Sequence, residues 1–322
     1  MKRLLLILAC LATSTSLAAA ADKTLNVLFI GNSFTGRHDL SQVVKTLAEE
    51  GNPGLDFKVT TVIYGGRILK DHWRLGTQNF VNLWKLTPAD EQATIDELKS
   101  QIERDPKDKY APSALARHKE LLKQLDHPYP KWDIVVLQSY RDDWEGDASL
   151  YVEYAPKFAE LIHAQGGRVV LYVTVPEMQN AEPIKGPQDS AAAIAKSQAI
   201  ARLARKIDAT VVPMPMVTLL CQDERPDLTL RFVNDAHLNQ TMAYLTACTF
   251  YGALFDRSPE GLKTDTVTDT RYLDADHRDQ DRDGKPIKKV FSAKDRGDLQ
   301  RIAWEGLNDF RQLATELAPK KN

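Results

Sequence analysis

The chain has few of the residues by which small disulfide-rich or metal-stabilised domains are held together. Only three cysteines occur among 322 residues, which is too few for a disulfide framework, and no CxxC or His/Cys spacing predicts structural zinc. Sixteen glycines and 16 prolines exclude collagen and a Pro-rich spacer. A hydrophobic core must supply the stability, and 43% hydrophobic residues against 27% charged ones are typical of a globular protein.

The sequence also lacks an excess of either charge. Forty-two Lys and Arg against 44 Asp and Glu give a formal net charge of −2. Binding to a nucleic-acid backbone requires a dense basic stripe, which is absent, so we expect no nucleic-acid partner. Nucleotide-binding loops of the GxGxxG or GKS/T type are missing as well.

Residues 1–20 have the pattern of a secretory signal peptide. A basic start is followed by a short apolar stretch and then by three alanines, the small residues that precede a signal-peptidase site. We expect a secreted or periplasmic protein with no membrane span after cleavage; an N-terminal anchor and a lipoprotein site at Cys10 are the alternatives. In an oxidising compartment Cys221 and Cys248 either pair or remain buried thiols, and the sequence leaves both open.

Downstream, short apolar runs alternate with helical patterns. The runs are 25–30, 57–64, 133–138, 168–175 and 210–212, and helical patterns lie at 40–50, 152–165, 189–207, 239–254 and 293–317. Continuous apolar runs are typical of strands covered on both faces. The alternation predicts an α/β fold, a three-layer sandwich with a central parallel sheet, in a single domain over residues 21–322.

Two segments fall outside this alternation. Residues 86–127 carry two amphipathic helical patterns and predict a helical insertion, and 274–286 form a polar loop. Three acidic residues of that loop, Asp279, Asp281 and Asp283, copy the first half of a calcium-binding loop, but the position that should carry a bidentate Glu does not. We therefore expect a solvated turn and no metal site, with calcium as the weaker alternative.

The most informative motif is GNSFT at residues 31–35, directly after the first predicted strand. Ligands of parallel α/β sheets bind at the carboxyl ends of the strands, and backbone N–H groups beside Ser33 would face a developing oxyanion there. An ordinary Gly-Asn turn capped by Ser, or a phosphate-binding loop, is the alternative interpretation.

A second motif stands some two hundred residues later, before a predicted helix, and contains Asn234, Asp235 and His237. Taken alone, the histidine fits a capping or surface residue. A serine hydroxyl, however, needs an adjacent base to become a nucleophile, and histidine is the usual base at neutral pH. The two motifs together predict a centre in which His237 activates Ser33.

These motifs resemble those of the SGNH, or GDSL-like, hydrolases, in particular a poorly characterised branch with GNSFT as its first block. The Gly65–Gly66 pair matches the second block, the segment 132–139 the third, and the segment 237–239 the end of the fifth. The resemblance spans residues 25–255. It implies a flavodoxin-like three-layer sandwich.

The resemblance also implies roles for individual residues. Ser33 is the nucleophile and His237 the base, and the oxyanion hole comprises the Ser33 and Gly66 N–H groups and the Gln138 side chain. Two positions depart from the family pattern: Gln138 stands where Asn is usual, and Asn234 stands where Asp usually orients the histidine. An Asn at that position favours the wrong tautomer, a change that costs about 10⁴-fold in a serine protease. Three alternatives follow. Asp235 reaches the imidazole through an altered turn, the enzyme works as a Ser-His dyad, or its activity is weakened.

The function implied is that of a secreted serine ester hydrolase without a cofactor, acting on a small-molecule or polysaccharide ester. Residues beside the blocks are candidates for substrate contact: Asn32, Arg67, His72 and Tyr140. One alternative is a catalytically weakened, carbohydrate-binding protein of the same fold. Another is a phosphate or nucleotide binder, which leaves His237 unexplained.

Overall fold

The computed structural model describes residues 23–140 and 149–318. The predicted signal peptide, with Cys10, lies outside the described residues. None of the helices in the described ranges has the length and apolar character that crossing a membrane requires.

A sheet of five parallel strands forms the centre of the molecule, in the order β2-β1-β3-β4-β5. The strands are β1 (Lys23–Gly31), β2 (Leu55–Ile63), β3 (Ile134–Gln138), β4 (Arg168–Val173) and β5 (Ala209–Pro213). Each coincides with one of the five predicted runs. Because β1 lies between β2 and β3, the chain leaves β1 at the point where the strand order reverses, which is where α/β sheets bind ligands.

Helices cover both faces of the sheet, so the predicted three-layer sandwich is confirmed. In the described residues they are α1 (Ser33–Gly36), α2 (Leu40–Gly51), α3 (Leu69–Arg74), α4 (Thr77–Val81), α5 (Pro88–Arg104), α6 (Ala111–Gln124), α7 (Leu150–His163), α8 (Ala191–Lys206), α9 (Met214–Glu224), α10 (Gln240–Phe255) and α11 (Ala293–Glu316). Neighbouring β1 residues point to opposite faces: Val27 and Phe29 join the core under α2, α9, α10 and α11, whereas Leu28 and Ile30 join the core under α3, α4, α7 and α8.

The two irregular segments each have structure of their own. Helices α5 and α6 occupy the predicted helical insertion and pack against each other. The polar loop connects two short antiparallel strands, β6 (Thr266–Thr268) and β7 (Lys288–Val290), which the sequence analysis did not predict.

Cys221 in α9 and Cys248 in α10 are buried free thiols, so the disulfide alternative is not realised. Burial raises the pKa of the Cys221 thiol to about 12, and burial also raises the pKa of Cys248. Both behave as small apolar side chains of the core.

Candidate active site

Ser33 stands at the exit of β1, as the first residue of the short helix α1, with its side chain partly exposed. The preceding residue, Asn32, holds the turn: its Oδ1 accepts from the Phe34 N–H at 3.0 Å, and its Nδ2 donates to the Arg67 carbonyl at 3.0 Å. Asn32 is fully buried. The expectation that it contacts substrate is therefore wrong, because its amide is used to shape the turn.

Gln138, at the end of β3, supports the same turn from below. Its Oε1 accepts from the Asn32 N–H at 2.8 Å and from the Thr35 hydroxyl at 3.0 Å, and its Nε2 donates to the Ser139 carbonyl. A backbone N–H can only donate, which fixes the orientation of the amide. Gln138 is fully buried, so it does not donate to an oxyanion in this arrangement, contrary to the expectation. Gly31 is required here, because a Cβ would lie 2.6 Å from the Gln138 Oε1.

His237 reaches Ser33 across 204 positions of sequence. Its Nε2 lies 2.8 Å from the Ser33 Oγ, which is hydrogen-bond distance. The loop that carries it is closed by a bridge between Arg231 and Leu238, just before α10. The imidazole also packs against Phe34, with ring centroids 5.5 Å apart.

Asp235 holds the other side of the imidazole. Its Oδ1 accepts from the His237 N–H at 3.1 Å and contacts the His237 Nδ1. A carboxylate that accepts from the backbone two residues further on forms an Asx-turn, and this turn brings the carboxylate to the ring. Of the alternatives left open, the geometry is that of Asp235 in an altered turn, giving a Ser-His-Asp array.

Asn234 lies away from the histidine. It is exposed, and its N–H donates to the Asp283 Oδ1 at 3.0 Å. The same carboxylate accepts from the Val233 N–H. Asn234 therefore does not orient the imidazole, and the polar loop that contains Asp283 supports the His237 loop instead.

Two of the three carboxylates in the predicted calcium alternative, those of Asp281 and Asp283, accept hydrogen bonds from backbone N–H groups. Asp281 is buried, and its Oδ1 accepts from the N–H groups of Asp283 and Lys285 at 2.9 and 3.0 Å. Within residues 23–140 and 149–318, no group of three or more His, Cys, Asp or Glu side chains is arranged to hold a metal ion. Asp279, Asp281 and Asp283 thus form a hydrogen-bonded turn.

A buried arginine, Arg37, which the sequence analysis missed, completes the array behind Asp235. Its Nη1 donates to the Asp235 Oδ2 at 2.8 Å, and its Nε and Nη2 donate to the two oxygens of Asp269 at 3.1 and 2.7 Å. Only 2% of the Arg37 side chain and none of the Asp269 side chain is exposed. Such bidentate pairs fix geometry as well as charge.

The turn that directs Arg37 inward has an unusual backbone. His38 and Asp39 have φ values of 58° and 51°, in the left-handed region of backbone conformation that residues other than glycine rarely adopt. The buried His38 ring lies against Phe232, and its Nε2 is 2.8 Å from the Leu238 carbonyl. His38 therefore ties the nucleophile turn to the residue that follows His237.

Hydrogen bonds from His237 and Arg37 together keep Asp235 ionised. Burial alone would raise the pKa of Asp235, but hydrogen bonds from His237 and Arg37 outweigh this effect and lower it to about 2. The carboxylate is consequently charged at any pH above about 4. An ionised Asp235 can accept a hydrogen bond from the Nδ1–H of His237, which leaves the unprotonated Nε2 to face the hydroxyl.

We expect Arg37→Met to destabilise the protein by about 3 kcal/mol or more, because the substitution leaves two buried or largely buried carboxylates without their cation. Denaturant unfolding of the variant and the parent measures the effect. Arg104→Met removes an exposed arginine that pairs with Glu97 at 2.6 Å, and it should change the stability little. Equal stabilities for the Arg37 variant and the parent would contradict the role assigned to this ion cluster.

Two backbone N–H groups near Ser33 remain available. Within the described residues, neither the Ser33 N–H nor the Gly66 N–H has a hydrogen-bond acceptor. Gly66 has a φ of 65°, which glycine adopts without strain. These are two of the three expected oxyanion donors.

His72 lies beneath the site and away from solvent. It is fully buried, with Nε2 3.0 Å from the Gly31 carbonyl and Nδ1 3.1 Å from the Thr77 hydroxyl. The expectation that His72 contacts substrate is therefore wrong. Its ring connects α3 and α4 to the end of β1.

We expect His72→Gln to make the stability less sensitive to acid. Burial lowers the pKa of His72 to about 3, whereas an unfolded histidine titrates near about 6.5. Between these values the unfolded chain binds the extra proton, so the parent loses stability as the pH falls. When the pH is lowered from about 7 to about 5, the free energy of unfolding of the parent, measured in urea, should fall by about 2 kcal/mol more than that of the variant. Parallel losses would show that His72 does not titrate on unfolding.

The other two candidates for substrate contact, Arg67 and Tyr140, are partly exposed. Arg67 is partly exposed, directly after Gly66, with its guanidinium 4.3 Å from the Tyr110 ring centroid. Tyr140 is partly exposed and packs against Phe34, with ring centroids 6.2 Å apart. Both residues are therefore partly accessible to solvent, unlike Asn32 and His72.

No protein-family model matches the sequence. A search of curated proteins finds no match. Two solved structures are similar. One, described as a candidate SGNH hydrolase from Slackia heliotrinireducens, is 16% identical, and the match covers 72% of this chain and 100% of that protein, with a TM-score of 0.45. The other, TesA, is 13% identical, and the match covers 73% and 99%, with a TM-score of 0.38. At these identities the likeness concerns the fold alone.

Proposed function

We propose that this chain is a serine ester hydrolase of the SGNH type. The observation that carries the proposal is the 2.8 Å contact between the Ser33 Oγ and the His237 Nε2, with Asp235 on the opposite ring nitrogen. Acyl transfer by a serine requires a nucleophile that is hydrogen-bonded to a base, and a third group that orients the base. The fold contributes only the location of the site, since a fold alone does not specify an activity.

In the proposed reaction, the Ser33 Oγ attacks the ester carbonyl carbon while the His237 Nε2 takes the hydroxyl proton. Asp235 stabilises the imidazolium that forms. The oxyanion accepts hydrogen bonds from the Ser33 and Gly66 N–H groups. His237 then gives its proton to the leaving alcohol, and a water molecule, activated by the same base, releases the acid from Ser33.

We further propose that the enzyme is secreted or periplasmic and removes acyl groups from a carbohydrate or another small ester. The pattern of residues 1–20 supports the first part. The motif resemblance supports the second, and the partly exposed Tyr140 offers an aromatic surface of the kind that sugar rings or acyl chains contact. The reaction as written uses protein groups and water, without a cofactor.

Purified residues 21–322 should hydrolyse 4-nitrophenyl acetate with many turnovers for each active site. A Ser33→Ala preparation purified in parallel measures any contaminating esterase. The alternative function, a weakened carbohydrate-binding protein, predicts glycan binding with no turnover above that preparation. Such a result would favour the binding protein over the enzyme.

A further inference from the structure

A cleft of about 560 Å³ opens between the turn after β2 and the loop that joins α5 to α6. This volume is in the range of sites that hold small ligands. Two acidic residues and five basic ones line it, the basic ones being Arg67, Arg74, Arg104, Lys107 and Lys109. The three arginines each lie beside a carboxylate, Arg74 at 2.6 Å from Asp108, Arg104 at 2.6 Å from Glu97 and Arg67 at 3.8 Å from Asp71. The positive charge that remains is that of the two lysines, although the whole chain has a formal net charge of −2.

Much of the acidic charge in the cleft is already neutralised. Asp108 pairs with Arg74 at 2.6 Å, and its other oxygen accepts from the Tyr110 N–H at 2.8 Å. By contrast, the ammonium groups of Lys107 and Lys109 are exposed and make no ion pair or hydrogen bond within the described residues. Positive charge of this kind attracts an anion from solution.

Residues that line the cleft also contact the segment that carries the candidate oxyanion hole. The Tyr110 hydroxyl donates to the Gly65 carbonyl at 2.7 Å, and the Arg67 guanidinium lies over the Tyr110 ring. The Arg67 carbonyl accepts from Asn32, the residue before the nucleophile. Since Arg67 follows Gly66 directly, its Cα lies about 3.8 Å from the Cα that bears an oxyanion donor.

We propose that this cleft binds a negatively charged group of the ester, so that the preferred substrate of the enzyme is an anionic ester. This inference rests on the proposed function. The planar guanidinium of Arg67, whose Nε lies 3.8 Å from an oxygen of Asp71, keeps further N–H donors that suit a carboxylate, phosphate or sulfate. Lys107 and Lys109 supply the additional positive charge at the entrance.

Two pairs of esters test the proposal, each pair matched except for one charge. In 4-acetoxybenzoate and its methyl ester the charge lies on the alcohol side, and in mono(4-nitrophenyl) adipate and its methyl ester it lies on the acyl side. The measured quantity is the ratio of kcat/KM for the charged and the neutral ester, divided by the ratio of the uncatalysed rates. In at least one pair the parent should favour the charged ester by at least about fivefold, and added salt should reduce the preference.

Variants then test whether the preference for the charged ester depends on the basic residues of the cleft. Arg67→Gln, and Lys107→Gln combined with Lys109→Gln, should each reduce that ratio. A matched control, Lys119→Gln with Lys123→Gln, removes two exposed charges from α6 outside the cleft and should leave the ratio unchanged. No preference in either pair, or the same ratio in all four proteins, would overturn the proposal.

Failure of the proposed function has a different signature, because none of the four esters is then hydrolysed in a Ser33-dependent manner. In that case calorimetry with a short oligogalacturonate, a carboxylate-bearing glycan, tests the cleft in the intact chain at low ionic strength. Binding that disappears in the Lys107 and Lys109 double variant supports an anion site. The absence of binding in the parent overturns it.

Discussion

Replacing Ser33 by Ala should abolish ester hydrolysis, lowering kcat/KM by about 10⁴-fold or more, as expected when the nucleophile of such an array is removed. The substitution removes the oxygen that lies 2.8 Å from His237 and leaves the oxyanion donors in place. Steady-state kinetics with 4-nitrophenyl acetate measure the change.

The stability of the Ser33 variant should stay close to that of the parent. The hydroxyl is partly exposed and bonds only to His237 within the described residues, and surface substitutions of this kind usually change stability by no more than about 0.5 kcal/mol. Ser113→Ala, at an exposed position of α6, is the matched control and should retain full activity. Undiminished hydrolysis by the Ser33 variant, with the control also active, would exclude Ser33 as the nucleophile.

Replacing Asp235 by Asn should lower kcat/KM by about 10⁴-fold, the cost of the corresponding change in a serine protease. An Asn amide donates where the Asp235 carboxylate accepts from the His237 Nδ1, so the imidazole is held in the tautomer that cannot take the hydroxyl proton. Steady-state kinetics of Asp235→Asn and of the parent at about pH 7 measure the loss of kcat/KM. Asp235 is ionised there, since hydrogen bonds lower its pKa to about 2 despite burial.

Asn234→Ala provides the comparison. Asn234 is exposed and contributes its backbone N–H to Asp283, so the loss of its side chain should change kcat/KM by less than about twofold. A large loss in Asn234→Ala together with a small one in Asp235→Asn would reverse the assignment. Residue 234 would then be the group that orients the histidine.

The inner strands of the sheet were predictable because they are largely apolar runs covered on both faces, whereas the edge strand β2 carries exposed polar residues. β3 is wholly buried and β1 is buried from Val27 to Gly31, and these two segments are apolar up to the last residue of β3. The short helices α3 and α4, helix α9 and strands β6 and β7 were not predicted. Met214 and Pro215 give no helical period at the start of α9, and strands of three residues are too short to show an alternation.

The candidate site was predictable only where a residue belongs to a motif. Ser33 and His237 do, and the structure brings them together. The use of Asp235 depends on an Asx-turn, which spacing alone does not reveal. Arg37 and Asp269 were missed because they are 232 positions apart and no local pattern links them.

The incorrect assignments concern polar residues that lie near the site in sequence but are buried in the fold. Asn32 and His72 follow a strand or a glycine turn, and Gln138 is the last residue of a strand; residues that contact a substrate often occupy such positions. Each is instead fully buried, with its polar atoms satisfied by the backbone or a hydroxyl around β1 and α1. The sequence indicates that these groups are close to Ser33. It does not indicate which of them face solvent.

The central claim is that the Ser33 hydroxyl is activated by His237, and covalent labelling tests it most directly. A fluorophosphonate reacts with activated serines, and peptide mass spectrometry identifies the modified residue. We predict one adduct on the peptide that contains Ser33, formed much more slowly in His237→Gln. Labelling that is absent from Ser33 in the folded protein, or equally fast without the imidazole, would contradict the claim.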